Sequence, residues 1–484
     1  MVSRERRVVA VVCLALIGSC AGAAVAAVVA RALGIATLGP AAAGVLVGAV
    51  GACVGFARRL APQLPDELDG WYERRRKLRW LWLASAILAI ANTARLALFV
   101  ADPSQLWASA FPVMPESGEH QCLAAYVRAG ELAAAGHHDL WRYADYAEGQ
   151  TSAIDGMQTY LADPYEYPPT FVVAPRAALA LTDNYELIRV AWFGISAVGF
   201  LLAYLALALW IRGRAGSTAL LLLPAIAISY PLMFALQWGQ AHVVVLAASV
   251  AAMLSFARGR TITGAVLLAF ATTTKIFPGL LLVHLAMRRQ WRDLAATLVA
   301  IAALVVLAAA VLGTGPLAAF VTEHLPRMSS GEAFAFTEEN PDNHALYAIA
   351  FKLAALGFDT GRGLAATLAW VWGFVAVALA ALASRGKADP TRDAILWLGI
   401  LCVGTLRSPF APMYTAFGTL WLFALAVNAR DWRKWLVAVG WVLLQGFPPV
   451  GGPAVNAIAS LPSQLITIAV ALIAVWPRRA NTSR

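Results

Sequence analysis

The chain has 484 residues, of which 60% are hydrophobic, with a mean hydropathy of +0.69 and a formal charge of +10. That composition excludes a soluble globular protein and leaves a polytopic membrane protein. The charge does not mark a nucleic-acid binder, because it is divided among short connectors beside apolar stretches. Arg58, Arg59, Arg74, Arg75, Arg76, Lys77 and Arg79 crowd one connector, and Arg288, Arg289 and Arg292 another. Smaller basic groups follow at Arg212/Arg214, Arg258/Arg260, Arg385/Lys387 and Arg478/Arg479. By the positive-inside pattern these connectors and both termini face the cytoplasm, and the expected location is the plasma (inner) membrane.

Taken in chain order, the first two apolar stretches, near residues 8–30 and 36–57, run out and back. The start could be a signal peptide, but the second stretch reaches another basic connector, so the pair reads as a retained hairpin. Trp80–Val100 runs out to the longest polar segment, Ala101–Pro169. Glu186–Ile211 returns, Ser217–Leu236 goes out, and His242–Ala257 comes back. Ile262–Thr274 and Ile276–Met287 are each too short for the ~20 residues of a crossing, yet basic connectors flank the pair. They read as a broken hairpin with Thr272-Thr273-Thr274-Lys275 at its tip. Leu294–Leu312 leads to a second external loop, Gly313–His344, and a helix within Gly363–Ser384 returns. The expected fold is an all-α bundle of about 12 to 14 crossings. Residues 1–79 form the hairpin and its basic loop, 80–477 the core, and 478–484 a cytoplasmic tail. Of five cysteines only Cys122 falls in an external loop, so no disulfide framework is implied.

The first external loop contains Glu116-Ser117-Gly118-Glu119-His120, followed by a helical pattern over Leu123–Ala135 that stops at Gly136. Glu119, Leu123 and Tyr126 share one face, which describes a helix lying on the membrane with an acid at its start. That acid either complements the helix dipole or acts chemically. The loop closes on Asp163-Pro164-Tyr165-Glu166-Tyr167-Pro168-Pro169. Its prolines stiffen the segment and push Tyr167 into an extended conformation. Rings and carboxylates on a rigid wall suit a sugar, although aromatics here also serve as interfacial anchors.

Lys275 is a lysine deep in apolar sequence, costing ~2.5–3.5 kcal/mol on insertion, so it calls for a water-filled cavity or an anion. Gln237-Trp238-Gly239-Gln240-Ala241-His242 lies at an external helix junction, where Gly239 permits close approach and Gln240 and His242 can hydrogen-bond a phosphate or a hydroxyl. Asn340-Pro341-Asp342-Asn343-His344 is either a capped, solvated loop or a ligand contact. Arg407 ends another apolar segment and offers a cation for phosphate. No zinc spacing, phosphate-binding glycine loop or nucleophile triad is present; no cofactor is expected, and the sequence leaves any metal requirement open.

The order of these motifs resembles the polytopic GT-C glycosyltransferases. The resemblance rests on the acid ahead of an amphipathic helix, Tyr165-x-Tyr167-Pro-Pro, Trp238-Gly-Gln-x-His242, Lys275-Ile-Phe-Pro278 followed by Arg288-Arg-Gln-Trp-Arg292, and the later Asn343-His344 loop. The nearest resemblance is to family 87, which includes polyprenol-phosphate-mannose-dependent mannosyltransferases, and it spans roughly Trp80 to Trp432. It implies transfer of a sugar, a hexose or pentose, from a polyprenyl phosphate to a glycolipid or cell-envelope glycan acceptor on the extracytoplasmic face, without a nucleotide sugar. The family's base is an aspartate early in the first external loop. Here Glu119 stands in that stretch, with Glu116 and His120 beside it. The expected roles are Glu119 as base, Lys275, Gln240, His242 and Arg407 on the donor phosphate, and Asp163, Glu166, Tyr167, Asn343 and His344 on sugar or acceptor. Three other readings stay open. A lipid or solute transporter needs the same intramembrane polar groups, a glycan polymerase or ligase would use a lipid pyrophosphate, and an inactive partner of the same fold would explain the missing aspartate.

Overall fold

The computed structural model describes residues 2–112, 121–146, 152–161, 163–338, 340, 342–386, 389–429, 434–446 and 451–476. It is all-α. Isolated bridges pair Asp155 with Asn184 and Asn343 with Pro412. Two compact units emerge, one made of Met1–Ala251, Thr273–Lys275 and Ala302–His324, the other of Ala252–Thr272, Ile276–Ile301 and Leu325–Arg484.

The first unit is built on α1 (Arg4–Ala32) and α2 (Leu38–Leu60), which form the anticipated hairpin. Their approach is set by four glycines. A Cβ on Gly18 or Gly22 would lie 2.2 or 2.0 Å from the carbonyl oxygen of Gly48 or Gly44. Helices in lipid gain no hydrophobic drive to associate, so such backbone approach supplies the attraction. α1 also packs on α3 (Arg76–Ala101) and α6 (Tyr185–Ile211), so the hairpin is part of the bundle. At its start Arg6 grips the connector after α2, with Nε and Nη2 on Asp69 at 2.8 and 2.7 Å and Nη1 on Asp66 at 2.6 Å.

Between α3 and α6 the chain forms α4 (Cys122–Ala134) and α5 (Pro169–Leu179). The helix expected at Leu123–Ala135 is there, and Gly136 ends it at φ +83°. It does not lie on the surface with one face down. Cys122 through Val127, Ala129, Gly130 and Leu132 are all buried, because small residues let α5 close over it at Gly130. The expected crossing Ser217–Leu236 is bent by 59° between α7 (Gly213–Ala227) and α8 (Tyr230–Gln237). Pro231 starts the second piece, where its missing N–H costs nothing, and breaks the ladder to the first. α9 (His242–Ala257), α10 (Thr261–Thr274), α11 (Leu280–Met287) and α12 (Trp291–Leu312) follow the hydropathy closely.

In the second unit, α13 (Ala348–Ala355), α14 (Arg362–Ser384), α15 (Pro390–Thr405), α16 (Phe417–Ala429), α17 (Lys434–Leu443) and α18 (Pro453–Val475) complete the chain. His284 is fixed here by Ser384 Oγ on Nδ1 at 2.8 Å and by Trp397 Nε1 donating to Nε2 at 3.2 Å. Arg288 bonds Asp393 at 2.7 Å and the Gly386 carbonyl at 2.6 Å. Among the described residues seven helices are long and apolar enough to cross a membrane, up to eight if the bent pair is one span. Hydropathy suggested about 12 to 14 crossings; the difference arises because several apolar stretches fold as helices of 8 to 16 residues.

Candidate functional site

The site in the first unit begins at the Trp-Gly-Gln junction. α8 ends at Gln237, and the turn requires Gly239, which has φ +65° and would drive a Cβ to 2.8 Å from Leu123. Its carbonyl accepts from Trp192 Nε1 at 2.7 Å, and the Trp238 carbonyl accepts from Leu123 N at 3.2 Å. The first turn of α4 is thereby held against the junction.

That docking gathers a buried polar ring. Gln240 Oε1 accepts from Tyr126 at 2.9 Å and Tyr167 at 2.7 Å, and the two hydroxyls are 2.8 Å apart. Gln240 Nε2 reaches Cys122 Sγ at 3.4 Å, which in turn lies 3.9 Å from Asp163 Oδ2. Tyr167 sits just ahead of Pro168, and its carbonyl accepts from Trp141 Nε1 at 3.1 Å. Burial pushes the Tyr165 and Tyr167 hydroxyls upward, so both stay protonated and act as donors.

Lys275 stands over this ring. Its Nζ lies 4.8 Å from the Tyr167 centroid, and it makes no hydrogen bond or ion pair among the described residues. Thr170 Oγ1, at the start of α5, donates to the Thr273 carbonyl at 2.5 Å and fixes the tip that carries the lysine. His242, 2% exposed at the head of α9, is near enough to feel the lysine's charge.

Beside the ring, Glu166 Oε2 is 2.8 Å from His324 Nε2, with side-chain exposures of 9% and 3%. Trp141 stacks on the His324 imidazole with centroids 4.9 Å apart and planes 20° from parallel. His324 closes a π-helical turn, Phe320–His324, a rare geometry that often accompanies function. Nothing local singled out His324 or Trp141, because their pairing joins two loops far apart in sequence. Tyr126 shared the face read for Glu119, but its bond to Gln240 depends on the tertiary fold.

In the second unit Asn343 spends its amide on backbone. Its Nδ2 donates to the Pro409 carbonyl at 2.8 Å, and its Oδ1 accepts from Ala345 and Ala411 at 3.0 Å each. Burial, aided by the charge of Lys352, lowers His344 to about 3, so it is neutral near pH 7. Burial raises Asp342 to about 6 against the pull of Lys352. Lys352 itself bonds Gln464 Oε1 at 3.0 Å. Arg407 lies over the Trp370 ring at 5.4 Å.

Of the residues expected from the sequence, Lys275, Gln240, His242, Asp163, Glu166 and Tyr167 gather in the first unit, while Asn343, His344 and Arg407 belong to the second. Glu119, Glu116 and His120 lie outside the described residues; Gln121, the next residue, donates its N–H to Leu161 O at 3.2 Å. A cation above a ring of hydroxyl and amide groups can hold an anionic oxygen beside a polyol.

No curated protein and no solved structure matches the chain. The model of glycosyltransferase family 87 matches residues 165–409, just over half of the sequence, from Tyr165 to Pro409. The chain belongs to glycosyltransferase family 87, and is a membrane glycosyltransferase of the GT-C class.

Proposed function

We propose that this glycosyltransferase takes its sugar from a polyprenyl phosphate and passes it to a glycolipid or cell-envelope glycan on the extracytoplasmic face. The observation that carries the reading is Lys275, a partly buried cation with no counter-ion among the described residues, placed over the Tyr167 ring that is bonded to Gln240. A lipid-linked phosphate supplies the missing anion at the depth where a soluble donor has no access. In the reaction the acceptor hydroxyl oxygen attacks the anomeric carbon, the bond from that carbon to the phosphate oxygen breaks, and the polyprenyl phosphate leaves. Glu119, assisted by Glu116 or His120, takes the hydroxyl proton. Help of that kind is typically worth ~10²–10⁴-fold. Lys275, with Gln240 and His242, offsets charge growing on the leaving phosphate. Asp163, Glu166 and Tyr167 shape the sugar and acceptor pocket.

A donor panel tests the reading. Purified enzyme in vesicles is offered the same labelled sugar on a polyprenyl monophosphate, a polyprenyl diphosphate and a nucleotide diphosphate. Transfer from the monophosphate alone is expected. Preferred use of the diphosphate would favour the polymerase or ligase reading, and lipid flipping without transfer would favour the transporter. The face is tested by labelling cysteines placed at exposed Ser104 and Ser330 on intact cells, where protection of both would reverse the orientation.

A further inference from the structure

The N-terminal hairpin lies outside the residues matched by the family model, yet its outer end is tied into the loop that feeds the site. Arg31, in the last turn of α1, donates from Nη2 to the Ala101 carbonyl at 3.2 Å, and Thr37 Oγ1 donates to the same oxygen at 2.9 Å. The same Nη2 lies 4.0 Å from Glu186 Oε2 in the first turn of α6. Glu186 is almost fully buried and is shared. Its Oε2 accepts from Arg189 Nη1 at 3.2 Å, and its Oε1 accepts a short hydrogen bond from the Tyr160 hydroxyl. Arg189 also donates to Val100 O and Tyr160 Oη at 3.2 Å each, and its guanidinium packs on the Phe99 and Tyr160 rings.

This is more than a surface ion pair. Arg189 is 2% exposed and its Nε and Nη2 have no partner, so Glu186 is the carboxylate that balances it. A buried charge that loses its partner is strongly unfavourable, so the group holds one arrangement. The strand of chain it holds is short and informative. Tyr160 is followed by Leu161, whose carbonyl accepts the Gln121 N–H; Gln121 opens α4, and Cys122 beside it meets Asp163 and Gln240. The tether therefore runs from α1 through Glu186 and Tyr160 to the polar ring.

We infer that Arg31, Glu186 and Tyr160 are positioning residues through which the N-terminal hairpin sets the placement of Cys122 and Asp163 in the transfer site. The inference rests on the reading of that ring as the transfer site, but its test reads position directly. Cys122 is 4% exposed and sits at the end of the tether, while Cys13 and Cys20 are buried within α1 and report global opening. Full-length protein in vesicles is treated with a maleimide, and each cysteine is quantified by mass spectrometry.

Arg31→Gln and Tyr160→Phe should each label Cys122 roughly tenfold faster than wild type or more, as local opening of one segment predicts, with Cys13 and Cys20 unchanged. Arg31→Lys, which keeps the charge, should label slowly. In a transfer assay the first two variants should lose kcat with the donor KM unmoved. The inference fails if Cys122 labels at the wild-type rate in both variants. It also fails if Cys122 opens only together with Cys13 and Cys20, which would make the network a general stability element. Correct labelling changes in a protein that transfers no sugar would overturn the functional reading and leave the tether standing.

Discussion

Lys275 Nζ sits 4.8 Å from the Tyr167 ring centroid, and the hydroxyl of that same ring donates to Gln240 Oε1 at 2.7 Å. One tyrosine thus offers its face to the cation and its edge to the junction that precedes His242. The two roles separate by substitution. Tyr167→Phe keeps the face and removes the hydroxyl, costing about 0.5–1.5 kcal/mol of stability. Tyr167→Leu removes the face as well, and with it a cation–π contact worth about 2 kcal/mol when desolvated. Donor KM should rise more in Tyr167→Leu than in Tyr167→Phe. Equal KM values would mean the ring face does not support Lys275.

Glu119 as general base needs its charge. Glu119→Gln should reduce transfer by roughly 10²–10⁴-fold while donor binding persists, and Glu119→Asp should keep partial activity. A role confined to the helix dipole predicts a different pattern, with the rate kept and no more than ~1 kcal/mol of stability lost. Full turnover by Glu119→Gln with an inactive Glu116→Gln would move the base three residues upstream.

Asp342 makes stability depend on pH. Burial raises its carboxyl from 3.8 to about 6, Lys352 opposing. Because the folded value is above the unfolded one, the contribution is fully present below 3.8 and is lost as pH rises through about 6. The loss is at most roughly 3 kcal/mol between pH 4 and pH 7. Asp342→Asn should narrow the difference in Tm between pH 5 and pH 8. Parallel pH profiles for variant and wild type would show that Asp342 titrates at an ordinary value.

The glycine contacts of the hairpin predict a sharp positional contrast. A methyl at Gly22 would meet the Gly44 carbonyl oxygen at 2.0 Å, whereas one at Gly51 meets nothing within 4 Å. Gly22→Ala should cost about 1–3 kcal/mol through overpacking, and Gly51→Ala close to nothing. Thermal unfolding of the two variants checks this, and equal Tm values would mean α1 and α2 are not in backbone contact at Gly22.

Much of the fold was readable because hydropathy and punctuation coincide. The helix expected over Leu123–Ala135 spans Cys122–Ala134, since Gly136 stops it, and the short stretch expected at Ile262–Thr274 spans Thr261–Thr274. The motifs around Tyr167, Gln240 and Lys275 were readable as polar groups where apolar ones are expected, and they converge in one unit. What stayed hidden depends on partners distant in sequence. His324 gains meaning from Glu166 and Trp141, Asn343 from the carbonyl of Pro409, and Glu186 from Arg31 and Tyr160. The glycine spacing of the hairpin, Gly18/Gly22 and Gly44/Gly48, is a local pattern, but only the register of α1 on α2 shows that it packs.

The account turns on Lys275 as the cation that receives a lipid phosphate. Single-turnover transfer from a polyprenyl-phosphate sugar, run side by side on wild type and Lys275→Ala at matched thermal stability, tests it most directly. Lys275 has no counter-ion among the described residues, so removing its charge relieves a desolvation cost, and the variant should insert and melt like wild type or higher. Its transfer should fall by two orders of magnitude or more, about the effect of losing one preorganised charge-stabilising group. Transfer by Lys275→Ala at the wild-type rate would contradict the account.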